Sequence, residues 1–172
     1  MRILKITIIS VFVTILFSCG REANNSEQFI IETNLIASGP LFEGSNTCQA
    51  EISAEIKNFL TENKISEEEI VDVKLVAASI KNESMENFDL LESINLQLFS
   101  DNFPMQNIAV INPIEKNSEK LKLKVADIQE DIKSILFENI SYVVADATIK
   151  EDLDEDLELQ TTLVFSINYY KK

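Results

Sequence analysis

The stretch from Leu157 to Tyr169 most constrains what this chain can fold into. Leu157, Leu159, Thr161, Leu163, Phe165, Ile167 and Tyr169 fall on one parity, and Glu158, Gln160, Thr162, Ser166 and Asn168 on the other, with only Val164 out of pattern. Successive side chains of a strand point to opposite faces, so this alternation describes a long strand with one buried and one wet face. Such a strand needs neighbours on a half-solvated sheet, the habit of antiparallel sheets.

Further strand signals run through the chain. Phe29 to Ala37 reads as a first strand, ended by Ser38-Gly39-Pro40. Val71, Val73, Leu75 and Ala77 share a face of a strand from Ile70 to Ile80, fed by Ser66-Glu67-Glu68-Glu69, which has capping-box spacing. Ile94, Leu96 and Leu98 alternate in the next strand, and Ile108 to Ile111 is a short one after the turn Asp101-Asn102-Phe103-Pro104. Lys120, Lys122 and Lys124 alternate with Leu121, Leu123 and Val125, a pattern used to guard exposed edges. Ile140 to Ile149 is one more strand. Two stretches have helical period. Cys48, Ile52, Ile56, Phe59 and Leu60 form one stripe, which predicts a helix capped by Asn46 or Thr47 and ended at Asn63, with Cys48 buried on it. Ile128, Ile132, Ile135 and Leu136 predict a second helix within Asp127 to Asn139. About seven strands without strand–helix–strand alternation point to a mainly β fold: an antiparallel, immunoglobulin-like β-sandwich with one or two packed helices. The alternative is an α+β sheet with its helices on one face.

At the other end, Arg2 and Lys5 precede an almost wholly apolar run, Ile6 to Phe17, and then Ser18 and Cys19. The run is shorter than the ~18 residues of a membrane-spanning helix, and its order is that of a signal peptide. Leu16-Phe17-Ser18-Cys19 resembles the lipobox of bacterial lipoproteins, with Phe17 bulkier than usual. The resemblance covers only the first twenty residues. It implies cleavage between Ser18 and Cys19, a diacylglycerol thioether on Cys19 and attachment to a membrane, since two or more acyl chains anchor stably. Gly20, where a retention Asp would sit, points to the outer membrane. The expected organisation is a signal peptide over 1–18, a lipidated flexible tether over 19–28, and a single domain over 29–172.

Composition narrows the function. The chain of 172 residues has a formal charge of −14; removing Arg2 and Lys5 with the signal leaves 13 basic against 29 acidic residues, a net of −16. Such a surface repels phosphate backbones, so nucleic acid is not an expected partner. The chain has no His, which rules out Ser-His-Asp and Cys-His nucleophile systems and His metal sites. Its three glycines, Gly20, Gly39 and Gly44, are too scattered for a phosphate loop. With Cys19 acylated, Cys48 is a lone thiol.

The densest charge run is Glu151 to Glu158. Asp152, Asp154 and Asp156 have the 1-3-5 spacing of a Ca²⁺ loop, but Leu157 stands where the turn glycine belongs and Leu163 where the bidentate Glu would be. The simpler expectation is a solvated hairpin loop, with no cofactor. These readings converge on a lipid-anchored envelope protein that is not an enzyme, a binding or structural module whose expected partners are the membrane and an envelope protein. One alternative is a carrier or sensor of an apolar ligand such as a lipid. Another is a carboxylate-based hydrolase, which needs two carboxylates facing across a cleft.

Overall fold

The computed structural model describes residues 25–84, 87–130 and 132–170. In chain order the elements are β1 (Asn25–Ala37), β2 (Gly44–Glu51), α1 (Ser53–Asn63), a 3-10 turn (Glu67–Glu69), β3 (Ile70–Asn82), β4 (Leu91–Ser100), β5 (Phe103–Ile111), β6 (Lys120–Val125), α2 (Ile132–Leu136), β7 (Ser141–Ile149) and β8 (Leu157–Tyr169).

The fold is mainly β and antiparallel. All eight strands join one sheet in the order β1-β8-β3-β6-β5-β4-β7-β2, curled into a half-barrel. The expected immunoglobulin-like pair of stacked sheets is not what the strand pairing gives. The reason is β6, whose first part pairs with β3 (Lys81↔Lys120 through Ala78↔Leu123) and whose end pairs with β5 (Val110↔Lys124, Ala109↔Val125). One short strand thus keeps both halves in a single hydrogen-bonded sheet. The curl brings Cα atoms of the two edge strands, β1 and β2, within 8 Å of each other.

β8 has the predicted register: every residue of the Leu157–Tyr169 parity is buried, and the other parity, Val164 included, is half-buried and faces outward. It lies between β1 and β3, with Phe29↔Phe165 and Leu75↔Phe165 across it. Phe29 stacks on both Phe165 and Phe59 of α1, each with ring centroids 5.1 Å apart, which seats α1 against the inner face.

Other expectations change. β1 begins at Asn25, opposite Tyr169, so 25–28 are strand and not tether. The helix expected from Asn46 starts only at Ser53. Gly44–Glu51 is an edge strand paired with β7, and Cys48 is buried on it opposite Ala145. The stripe was real from Ile52 onward; Cys48 satisfied it by coincidence, because a single residue fits either period. The helix ends with Lys64, not Asn63, in the left-handed conformation (φ 56°). The capping box forms as predicted, with Ser66 N–H donating to Glu69 Oε2 at 3.1 Å. β3 does not keep one apolar face. Register shifts between Ile70 and Asp72 and between Leu75 and Ala77 leave Val71, Val76 and Ala77 exposed while Val73, Leu75, Ala78 and Ile80 are buried. The second helix shrinks to Ile132–Leu136, and Ile128 is exposed. Its approach segment has another task. Beyond the point where β6 leaves β3, the Gln129 side chain accepts from Leu75 N–H (2.8 Å) and donates to Leu75 C=O (3.0 Å), and Lys133 donates to Ile70 C=O (2.6 Å). Side chains thereby satisfy backbone groups that would otherwise lack a strand neighbour. Finally, the lysines of β6 guard no edge, since β6 is interior.

Candidate functional site

Ser18 and Cys19 lie outside the described residues. Among the described residues no helix is long and apolar enough to cross a membrane.

The acidic run connects β7 to β8, but these strands do not pair with each other, so it is not a hairpin. It docks on the 38–43 connection between β1 and β2. Leu41 and Leu153 exchange both backbone hydrogen bonds (2.7 and 2.9 Å), Gly39 N–H donates to Asp156 Oδ1 (2.8 Å), and Glu43 N–H donates to Asp152 Oδ1 (2.8 Å). Asp152 and Asp156 thus serve as acceptors that tie two connections together, and Asp154 stays exposed. Among the described residues no three His, Cys, Asp or Glu side chains converge as an ion-binding group, so Asp152, Asp154 and Asp156 are not brought together as a Ca²⁺ loop.

Cys48 is buried, its Sγ 3.8 Å from the Ala145 carbonyl oxygen. Burial, then the nearby Asp146 carboxylate, pushes its thiol up from 9.0 to about 11. A thiol so held is a packing group and a poor nucleophile at neutral pH.

Among the described residues, the candidate binding feature, marked by lysines beside apolar groups, lies on the outer face of β8, β3 and β6. It is a depression of about 340 Å³ lined by Val76, Ala77, Ser79, Lys120, Lys122, Val125, Thr162 and Val164, among others. Strand register sets its layout. One rank across the strands is Ile30, Val164 and Ala77; the next is Glu32, Thr162, Ser79 and Lys122; the third is Asn34, Gln160, Lys81 and Lys120. The irregularity between Leu75 and Ala77 adds a residue to β3, so that Ala77 faces outward as well as its neighbour Val76, which is 46% exposed. Bulges commonly re-aim a side chain in this way beside binding sites.

The electrostatics of the site are unusual for so acidic a chain. Lys81 and Lys120 are direct cross-strand partners, and Lys122 follows on the same face. Like charges placed directly opposite each other are destabilising. None of these three ammonium groups forms an ion pair or hydrogen bond with a described residue; the ion pairs among the described residues are Lys74 with Asp72 and Lys124 with Asp127. The nearby Glu158 carboxylate accepts instead from Asn34 Nδ2 at 3.1 Å. Ser79 faces Lys122 across the β3–β6 pairing.

Sequence reasoning noticed two signals of this site, the lysine alternation of β6 and the misfit Val164. What joins them is the pairing of distant strands and the bulge in β3, neither of which is written in a local pattern.

No family model matches the chain, and no curated protein matches it.

Proposed function

We propose that this chain is a lipid-anchored, non-catalytic binding module of the bacterial cell envelope, attached through Cys19, on the outer membrane, and that its binding face is the outer surface of β8, β3 and β6. The observation that carries the reading is the depression itself. Lys120 and Lys122 line it beside Val76 and Val164, Lys81 stands opposite Lys120, and no described acidic side chain pairs with any of the three, so one anion can meet these ammonium groups together.

The anchor suits this face. Five residues lie between Cys19 and the start of β1 at Asn25, six steps that reach about 20 Å when extended. Val164 and Thr162 pair with Ile30 and Glu32, five and seven residues into β1. At about 3.3 Å per residue the depression lies roughly 20 Å along the strands from the tethered end and opens sideways. A ligand or partner would reach it from the aqueous side of the envelope.

Two measurements test the proposal. Mass spectrometry of the mature N-terminus is expected to find acylated Cys19, and Cys19→Ser to release the protein from the membrane fraction; unmodified soluble protein with a different N-terminus refutes the anchor. A photo-crosslinking residue at position 77 is expected to give adducts in intact envelopes that a Lys81→Glu/Lys122→Glu variant loses, while the same probe at Glu62, on α1, gives none of them. Identical adducts from both probe sites refute the binding face.

A further inference from the structure

Resting on that reading, we infer that the depression takes an amphiphilic organic anion: a carboxylate or phosphate head held by Lys81, Lys120 and Lys122, with a hydrocarbon part lying along Val76, Ala77 and Val164. The composition of the site requires both halves of such a ligand. A plain inorganic anion would meet the lysines and leave the valines wet. A neutral hydrocarbon would cover the valines and strand the ammonium groups beside a dry surface, where losing water is costly. An amphiphilic anion satisfies both, and Ser79 and Thr162, which line the same depression, add hydroxyl donors for its head. The apolar rank continues past the depression to Ile30 of β1, which is 60% exposed and opposite Val164, so a longer chain has somewhere to lie.

Charge selects the sign of the ligand. The lysines offer the one face of β8, β3 and β6 where an anion meets three cations that no described acidic side chain neutralises. Long-range repulsion from a mature chain of net −16 still opposes an extended anionic surface, whereas one small anion reaches the depression with that repulsion screened beyond roughly 10 Å at ordinary salt. The size of the site, about 340 Å³, falls in the range of single small-molecule pockets. The occupant is therefore a free amphiphile taken from the aqueous phase, not the bilayer.

The test uses the full chain in nanodiscs of zwitterionic lipid, with ¹³C-labelled valine methyl groups read by NMR. Octanoate is expected to shift the Val76, Val125 and Val164 methyls saturably. Octanol, acetate and octyltrimethylammonium should each bind at least about tenfold more weakly, and a Lys120→Gln/Lys122→Gln variant should lose a similar factor for octanoate, as expected for two exposed charge contacts. The variant's undiminished melting temperature would show that the loss is not unfolding. Equal binding of octanol and octanoate, shifts confined to other methyls, or full octanoate binding by the variant would each overturn the inference. Anionic phospholipid vesicles that reproduce the valine shifts would overturn the choice of a free ligand in favour of the bilayer. Position-77 crosslinks that persist without any octanoate binding would refute the ligand class alone; loss of both would refute the binding reading beneath it.

Discussion

Gly39→Ala is a demanding test of how the half-barrel closes. A methyl group on Gly39 would stand 2.8 Å from the carbonyl oxygens of Asp154 and Glu155 and 2.9 Å from the Glu155 carbonyl carbon. All are backbone atoms, so no side chain can swing aside. Gly39 does not occupy the left-handed region, which among the described residues holds Lys64, Asn117 and Gly44, so the cost is one of contact and not of backbone conformation. If the two connections stay together, overpacking costs about 1–3 kcal/mol. If they part, the Gly39 N–H bond to Asp156 and the reciprocal Leu41–Leu153 pair are lost, three hydrogen bonds at about 1 kcal/mol each. Either route is offset by about 0.4–1 kcal/mol, because alanine restricts the unfolded chain. The expected net loss is about 2 kcal/mol, or roughly 4–8 °C in Tm for a domain of this size. Urea melts of wild type and variant with equal m values would measure it. Asp154→Ala is the control: its side chain is exposed and uninvolved, and it should stay within about 0.5 kcal/mol of wild type. A Gly39→Ala protein as stable as that control would refute the close docking of the acidic connection against 38–43.

The buried thiol of Cys48 predicts a pH effect. Its proton is held more tightly in the folded chain, with a pKa of about 11 against 9.0, so its contribution is fully present below pH 9 and is lost as pH rises toward 11, by up to about 2–3 kcal/mol. Cys48→Ala should flatten that part of the stability–pH curve measured by denaturant melts, and equal slopes would contradict the burial; thiol reagents should label Cys48 only after unfolding. Lys81→Gln removes one member of a like-charge cross-strand pair and should raise stability by about 0.2–1 kcal/mol in the same melts, a gain that added salt erases; a destabilised variant would show that Lys81 has a stabilising contact after all. Millimolar Ca²⁺ should shift Tm no further than Mg²⁺ at matched ionic strength, because Asp152 and Asp156 already accept backbone N–H groups from 38–43; a rise of several degrees unique to Ca²⁺ would restore an ion-binding loop.

What could be read directly was whatever depends on neighbours in sequence. The parity of β8 predicted every buried residue from Leu157 to Tyr169. The lysine alternation marked the outward face of β6, and Ser66 with Glu69 marked the turn that starts β3. These signals are legible because a strand's period and a cap's spacing are set by local backbone geometry, whatever the strand later pairs with. Cys48 marks the limit of local pattern. Its burial was anticipated, but through a helix that begins only five residues later, because an apolar residue four positions before Ile52 fits a helix while the strand that actually holds it is specified by β7, about a hundred residues away.

Tertiary structure alone decided the rest. Whether eight strands form two stacked sheets or one curled sheet depends on which strand pairs with which, and here on β6 sharing its length between β3 and β5. The face of β3 changes at two irregularities because a single extra residue inverts the parity of everything beyond it. The acidic run, charged enough to suggest solvent or an ion, is instead held by N–H groups from the β1–β2 connection. The depression of Lys120, Lys122, Val76 and Val164 exists only where three strands distant in sequence and one bulge meet. Local pattern says which side of a strand faces the core; the strand's place in the sheet is settled by hydrogen bonds and packing between segments far apart in the chain, and no short-range period encodes them.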